Sequence, residues 1–260
     1  MMSDLAASIV DRLRAAGCVF AEEEARLLAE AARTPAELDA LADRRAGGEP
    51  LELVLGWAEF HGLRIAVEPG VFVPRRRTEF LVERAAALAP PRAVVVDLCC
   101  GSGALGAALA TLLDGAETHA ADLDPAAVRC ARRNLEGAGG RVHRGDLYDA
   151  LPAALRGRVD VLVANVPYVP TGDVALLPAE AREHEPRLAL DGGADGLDVL
   201  RRVADGAPDW LAPGGHLLVE TSDRQAPAAL AAFTAAGLVA RLDHSAEHEA
   251  TVVVGSRAAT

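Results

Sequence analysis

The sequence predicts an α/β fold: a doubly wound, mostly parallel sheet with a small N-terminal helical domain and a connecting β-hairpin. Three observations predict it. From residue 93 onward, short β-branched runs alternate with helix-length segments, the pattern of a sheet covered on both faces. Val94-Val95-Val96-Asp97-Leu98 runs directly into Cys99-Cys100-Gly101-Ser102-Gly103, a buried strand that ends in an acid and a glycine turn. Asp97, Gly101, Asp122, Asp146 and Asn165 all fall at carboxyl ends of expected strands, where open α/β sheets bind their ligands.

Taken in order, residues 1–48 form the helical domain, 49–72 a linker with the hairpin, and 73–260 the sheet domain. Leu5, Ile9 and Leu13 share one helical face, which Gly17 ends. Glu22–Glu24 place acid in the first turn of a second helix, ahead of Leu27 and Leu28. Thr34-Pro35-Ala36-Glu37 is a capping box with proline at its first helical position, opening a third helix. Gly47-Gly48-Glu49-Pro50 breaks the pattern as a linker. Trp57–Phe60 and Leu63–Val67 flank a His61-Gly62 turn as a hairpin. Arg75-Arg76-Arg77 precedes a helix capped by Thr78 or a neighbour, and is expected to be solvated or paired with acids. Expected strands then cover 93–98, 118–122, 141–144, 159–164, 216–220, 238–242 and 251–254. Helices fill 104–113 and the stretch from Asp124-Pro125, an N-cap followed by proline, to about Leu135. Pro213-Gly214-Gly215 is a turn before the fifth strand.

Bulk properties narrow the function. The 260 residues, 51% of them hydrophobic, suffice for one sizeable domain and a small one and argue against wholesale disorder. No apolar run approaches the roughly 20 residues that span a bilayer, and the N-terminal stretch lacks a signal-peptide pattern, so no membrane partner and a cytoplasmic location are expected. Cys18, Cys99, Cys100 and Cys130 form no C-x-x-C pair, so neither a metal site nor a disulfide framework is expected. Cys99 and Cys100 fit best as small buried residues. A net charge of −12 disfavours extended nucleic-acid binding. Every basic residue is Arg, which excludes a catalytic lysine, a Schiff base and a P-loop lysine.

The strand ends carry the chemistry. Gly101–Gly106 satisfies the G-x-G-x-x-G pattern, and Asp122 stands where that pattern expects a ribose-binding acid. This alone leaves NAD and S-adenosylmethionine (SAM) enzymes both open. Asp146 is placed to accept an adenine amine, and Asp97 either fixes the glycine loop or faces the cofactor's charged end. Asn165-Val166-Pro167-Tyr168 decides between them. The Asn165 side-chain oxygen and the Val166 carbonyl form an acceptor pair for both hydrogens of a substrate NH2 group. Pro167 holds that loop extended, and Tyr168 can pack over a planar amide or base. Such a grip aims a nitrogen lone pair at an electrophilic carbon and has no use in hydride transfer, so it favours methyl transfer to nitrogen.

With these blocks, and with Glu49-Pro50, Val73-Pro74-Arg75, Thr78-Glu79, Gly145-Asp146, Glu185-Pro186 and Asp191-Gly192-Gly193-Ala194-Asp195-Gly196-Leu197, the whole chain resembles the PrmC/HemK family of protein N5-glutamine methyltransferases. The resemblance implies a Rossmann-like class I SAM-dependent methyltransferase sheet and a protein substrate, the glutamine of a Gly-Gly-Gln motif in class I peptide-chain release factors. It implies cofactor binding by Asp97, Cys99, Cys100, Gly101, Ser102, Gly103, Asp122, Leu123, Asp146, Leu147 and Asn165. It implies catalysis by Asn165, Val166, Pro167 and Tyr168. The chain departs from the family pattern in two places: Val166 stands where proline is usual, and the glycine loop begins Cys99-Cys100 where glycine is common. The alternatives are an adenine N6 methyltransferase acting on nucleic acid, an NAD oxidoreductase, and a SAM-binding protein without turnover.

Overall fold

The computed structural model describes residues 2–259, with side chains from residue 7 onward. Four helices open the chain: α1 (Met2–Ala15), α2 (Ala21–Ala31), α3 (Pro35–Ala46) and α4 (Leu51–Leu55). Ile9 and Leu13 of α1 pack with Ala25, Leu28, Leu38, Ala42 and Val54 into a core of their own. The side chain of Leu5, expected on the same face, lies outside the described residues. At the start of α3 the Thr34 hydroxyl accepts the Glu37 N–H at 3.1 Å, as a capping box requires. The return bond differs from expectation: Glu37 Oε2 accepts the Arg33 N–H at 2.9 Å, one residue earlier than the cap.

The short α4 was not expected after the Gly-Gly-Glu-Pro break. Five residues are too few to show a period, and Gly56 in the left-handed region (φ 79°) ends the helix. It has a clear structural use. Val54 faces the helical core, while Leu53 packs with Ala58, Val67 and Val73 toward the rest of the chain. The hairpin follows as β1 (Trp57–Phe60) and β2 (Leu63–Ala66), antiparallel, with His61 and Gly62 both at positive φ as a tight two-residue turn requires.

Thr78 does not cap the next helix, α5 (Glu79–Leu88). It ends a 3₁₀ turn over Arg76–Thr78, and its hydroxyl is buried without a partner. The sheet strands are β3 (Val94–Leu98), β4 (Glu117–Asp122), β5 (Arg141–Arg144), β6 (Val159–Ala164), β7 (Leu211–Thr221), β8 (Val239–Ser245) and β9 (Ala250–Ser256). They lie in the order β5-β4-β3-β6-β7-β9-β8, with β3 to β7 parallel and β9 antiparallel to both its neighbours. β7 starts earlier than expected because Leu211 already pairs with Val159. Pairing resumes only at His216 with Val161, so Pro213-Gly214-Gly215 is a bulge within the strand rather than a turn before it.

Alternation along the strands feeds two cores. Val95, Val161 and Val163 face α5 and α6 (Ala104–Leu112), together with α7 (Pro125–Leu135). Val94, Val96, Leu162 and Ala164 face α10 (Asp198–Trp210) and α11 (Ala226–Ala235). Both faces are therefore apolar and covered, which is why these strands read as unbroken apolar runs. Between β6 and α10 the chain forms two short helices, α8 (Ala179–His184) and α9 (Arg187–Leu190). Among the described residues no helix is long and apolar enough to cross a membrane. The strand order reverses between β3 and β6, which makes the crevice beyond their carboxyl ends the place for a ligand.

Candidate active site

Leu98 pairs with Ala164, so the chain leaves β3 at Cys99 and β6 at Asn165 from adjacent positions on one ladder. Cys99 takes a left-handed conformation (φ 54°), followed by left-handed Gly101 and Gly103. Glycine is required at 103, since a Cβ there would lie 2.9 Å from Ala131 Cβ. The loop is clipped to β4. Asp122 Oδ2 accepts the Gly101 N–H at 2.9 Å and Oδ1 accepts the Asp124 N–H at 2.9 Å. Asp97 stands behind the loop, fully buried, with Oδ2 accepting the Gly106 N–H of α6 at 2.9 Å and Oδ1 unpartnered. Burial pushes the Asp97 carboxyl up to about 7 and raises Asp122 and both thiols, Cys99 and Cys100, as well. The thiols are thereby kept neutral, as small residues rather than nucleophiles.

These elements enclose a cavity of about 450 Å³, the size of a small-molecule site. Cys99, Cys100, Gly101 and Ser102 form one wall, and Asp122, Leu123, Asp146 and Leu147 the next. Asn165, Val166, Pro167 and Tyr168 line it from the end of β6, on the flank of the Cys99–Ser102 loop away from Asp122. Asp97 and Gly103 lie behind the wall, so of the two options for Asp97 the structure places it under the loop. The donor set fits a nucleoside cofactor. Each Asp122 oxygen accepts one backbone N–H and has acceptor capacity left for a ligand hydroxyl. Leu147, left-handed at φ 47°, turns the chain at the cavity edge, where a strained non-glycine residue commonly marks a functional site. Asp146 Oδ2 is held by Arg202 at 2.8 Å.

The loop after β6 is buttressed from three sides. Val166 is buried in the core. The Tyr168 hydroxyl meets Arg77, whose Nε donates to Glu220 Oε1 at the end of β7 at 3.1 Å. Burial and the nearby Glu220 raise the Tyr168 phenol, so it stays neutral although Arg77 and Arg75 oppose the shift. The Tyr168 carbonyl accepts from Gln225 Nε2 at 2.8 Å, and the Gly192 N–H donates to the Val169 carbonyl at 2.8 Å. A Cβ at Gly196 would sit 2.2 Å from the Tyr168 oxygen, so the glycine-rich stretch after α9 packs its backbone against the loop. Arg75 pairs with Glu185 at 2.5 Å, so two of the three clustered arginines are paired with acids as expected.

Arg77, Glu220, Gln225 and Arg202 went unassigned from sequence. Only Arg77 carried a signal, as a member of a cationic cluster ahead of a helix; its partners lie far along the chain.

A family model described as "Methyltransferase small domain" matches residues 62–181. A release factor glutamine methyltransferase of Geobacter sulfurreducens is 44% identical over 208 residues, covering 78% of this chain and 72% of that protein. A 4-amino-L-phenylalanine/4-methylamino-L-phenylalanine methyltransferase of Streptomyces pristinaespiralis is 41% identical over 204 residues, covering 75% and 68%. Among solved structures, a methyltransferase from Pyrococcus furiosus matches with a TM-score of 0.58 at 17% identity, over 76% of this chain and 90% of that one, a likeness of fold. The fold, the cavity at the switch point and the extent of identity together place the chain in the release factor glutamine methyltransferase family.

Proposed function

We propose that the protein methylates the side-chain amide nitrogen of a protein glutamine, that of the Gly-Gly-Gln motif in class I release factors, with SAM as the methyl donor. The observation that carries this is the adjacency of Asn165 and the Cys99–Gly103 loop on the paired ends of β6 and β3. When bound, SAM supplies an electrophilic methyl group on sulfur. Asp122 holds the ribose, and Asp146 with the Leu147 main chain holds the adenine. Asn165 Oδ1 and the Val166 carbonyl accept the two amide hydrogens and so fix the direction of the nitrogen lone pair. An amide nitrogen is a weak nucleophile, and the same acceptors stabilise the positive charge that grows on it; that charge acidifies the N–H groups, one of which is lost as a proton to leave the neutral N-methyl amide. Val166 supplies this carbonyl as well as proline does. Tyr168, fixed by Arg77 and Gln225, packs against the planar amide.

The test is methyl transfer from labelled SAM to a purified release factor, wild type and with the motif glutamine changed to alanine. Label that disappears in the alanine variant supports the proposal. With Asn165→Ala, turnover is expected to fall by roughly 10²–10³, the loss typical of a single preorganised charge-stabilising group. The affinity for SAM should barely change, and undiminished turnover removes Asn165 from the chemistry. A second reading is favoured by the Streptomyces pristinaespiralis relative, whose name gives substrates that carry an aromatic amine. Label on 4-amino-L-phenylalanine and none on the release factor would select it.

A further inference from the structure

We infer that Glu220 is a positioning residue for methyl transfer: it cancels the charge of Arg77, so that Arg77 can hold the Tyr168 hydroxyl without setting an unbalanced cation beside a positively charged cofactor. The inference rests on the SAM-dependent function proposed above and adds to it a residue that stands outside the cavity wall.

Glu220 lies near the end of β7, one residue beyond the Val219–Ala164 pair, and so level with Asn165 on the neighbouring strand. Alternation turns it to the face of Leu218, toward α5 and the 3₁₀ turn that carries Arg77. Its side chain is 4% exposed, against 48% for Arg77. Arg77 Nε donates to Glu220 Oε1 at 3.1 Å, and Arg77 Nη2 donates to the Tyr168 hydroxyl. Arg77 and Tyr168 line the cavity, with Glu220 behind them. Glu220 therefore reaches the cavity through Arg77.

The same pairing recurs around the cavity. Among the described residues three arginines line it, Arg75, Arg77 and Arg202, and each meets an acid: Glu185 at 2.5 Å, Glu220 at 3.1 Å and Asp146 at 2.8 Å. A pocket built for an anion leaves such cations free. This one presents them neutralised, which suits a ligand with positive charge on sulfur. Of the three, Arg77 is hydrogen-bonded to the Asn165–Tyr168 loop, where the transfer takes place. The charge passes from sulfur to the amide nitrogen before it leaves as a proton, so an uncompensated guanidinium opposes binding and transfer alike.

The experiment is calorimetric titration of the full chain with SAM and with S-adenosylhomocysteine, which lacks the methyl group and the positive charge on sulfur. No acceptor is present, so the result does not depend on which molecule is methylated. Glu220→Gln keeps the volume and a carbonyl oxygen for Arg77 Nε, and the half-exposed Arg77 stays solvated, so the fold should hold. The variant is expected to raise the Kd of SAM about tenfold and that of S-adenosylhomocysteine by less than about threefold. The neutral double variant Arg77→Met/Glu220→Gln should return the ratio of the two constants to within about threefold of the wild-type value. A merely structural role for Glu220 predicts equal losses for both ligands and a double variant worse than the single one. Either of those results, or an unchanged ratio in Glu220→Gln, overturns the inference.

Discussion

At the scale of single residues, Asp97 is the group whose environment makes the sharpest prediction. Its carboxyl titrates near 7 in the folded protein, against 3.8 for an unburied aspartate. The folded state thus holds this proton more tightly than the unfolded chain does. Its stabilising contribution is complete below about pH 4 and is lost as pH rises through 7. Urea unfolding of the protein without cofactor should show stability falling over that window. Asp97→Asn, which can still accept the Gly106 N–H, should flatten the fall. An identical slope in the variant contradicts the assignment. Which residues were legible follows the same logic of position. Asp122, Asp146 and Asn165 could be singled out because a strand end announces itself in the sequence. Arg77 and Gln225 could not, because they act on Tyr168 across 91 and 57 residues and nothing local marks the pairing.

At the scale of elements, the segment from Asn165 to Val169 depends on the glycine-rich stretch behind it. Gly196 is left-handed (φ 79°) and its missing Cβ is the space occupied by the Tyr168 carbonyl. Gly196→Ala should cost about 1–3 kcal/mol through backbone strain alone. It should also displace the Tyr168 main chain and lower turnover by roughly tenfold or more, since displacements of about 1 Å at a reacting centre cost up to 10². Thermal unfolding and turnover should fall together; a variant with intact turnover would show that the loop holds its place without this packing. Strands β3 to β6 were legible to within a residue because their apolar runs are bounded by glycines and acids. The failures share a cause. α4, the bulge in β7 and the displaced capping bond are set by what the neighbouring element offers: a core for Val54, a partner for Leu211, an N–H at Arg33. Thr78 looked like a cap from its position and is instead buried beneath its own turn.

At the scale of the molecule, one arginine ties the helical unit to the segment that covers the cavity. Arg45 on α3 pairs with Glu24 of α2 at 2.6 Å and reaches Glu180 of α8 at 2.9 Å. The two contacts differ in environment. Glu24 is buried, with its side chain 10% exposed, whereas Glu180 is 49% exposed. Arg45→Ala strands a buried carboxylate and should destabilise the helical unit by roughly 3 kcal/mol. Glu180→Ala removes only the exposed half of the tie and should cost under about 1 kcal/mol. Equal losses in urea unfolding would mean that the contact to α8, not the buried pair, carries the stability.

The ladder between β3 and β6 also sets how such a protein can change over evolutionary time. Donor loop and acceptor loop leave neighbouring strands at registered positions, about 4.8 Å apart by the ordinary spacing of a sheet. The sheet acts as a ruler that neither loop can alter by itself. Mutation is then free to rework the α8–α9 cover and the walls around Glu185, exchanging one nitrogen-bearing substrate for another, while the reach of the methyl group is inherited unchanged.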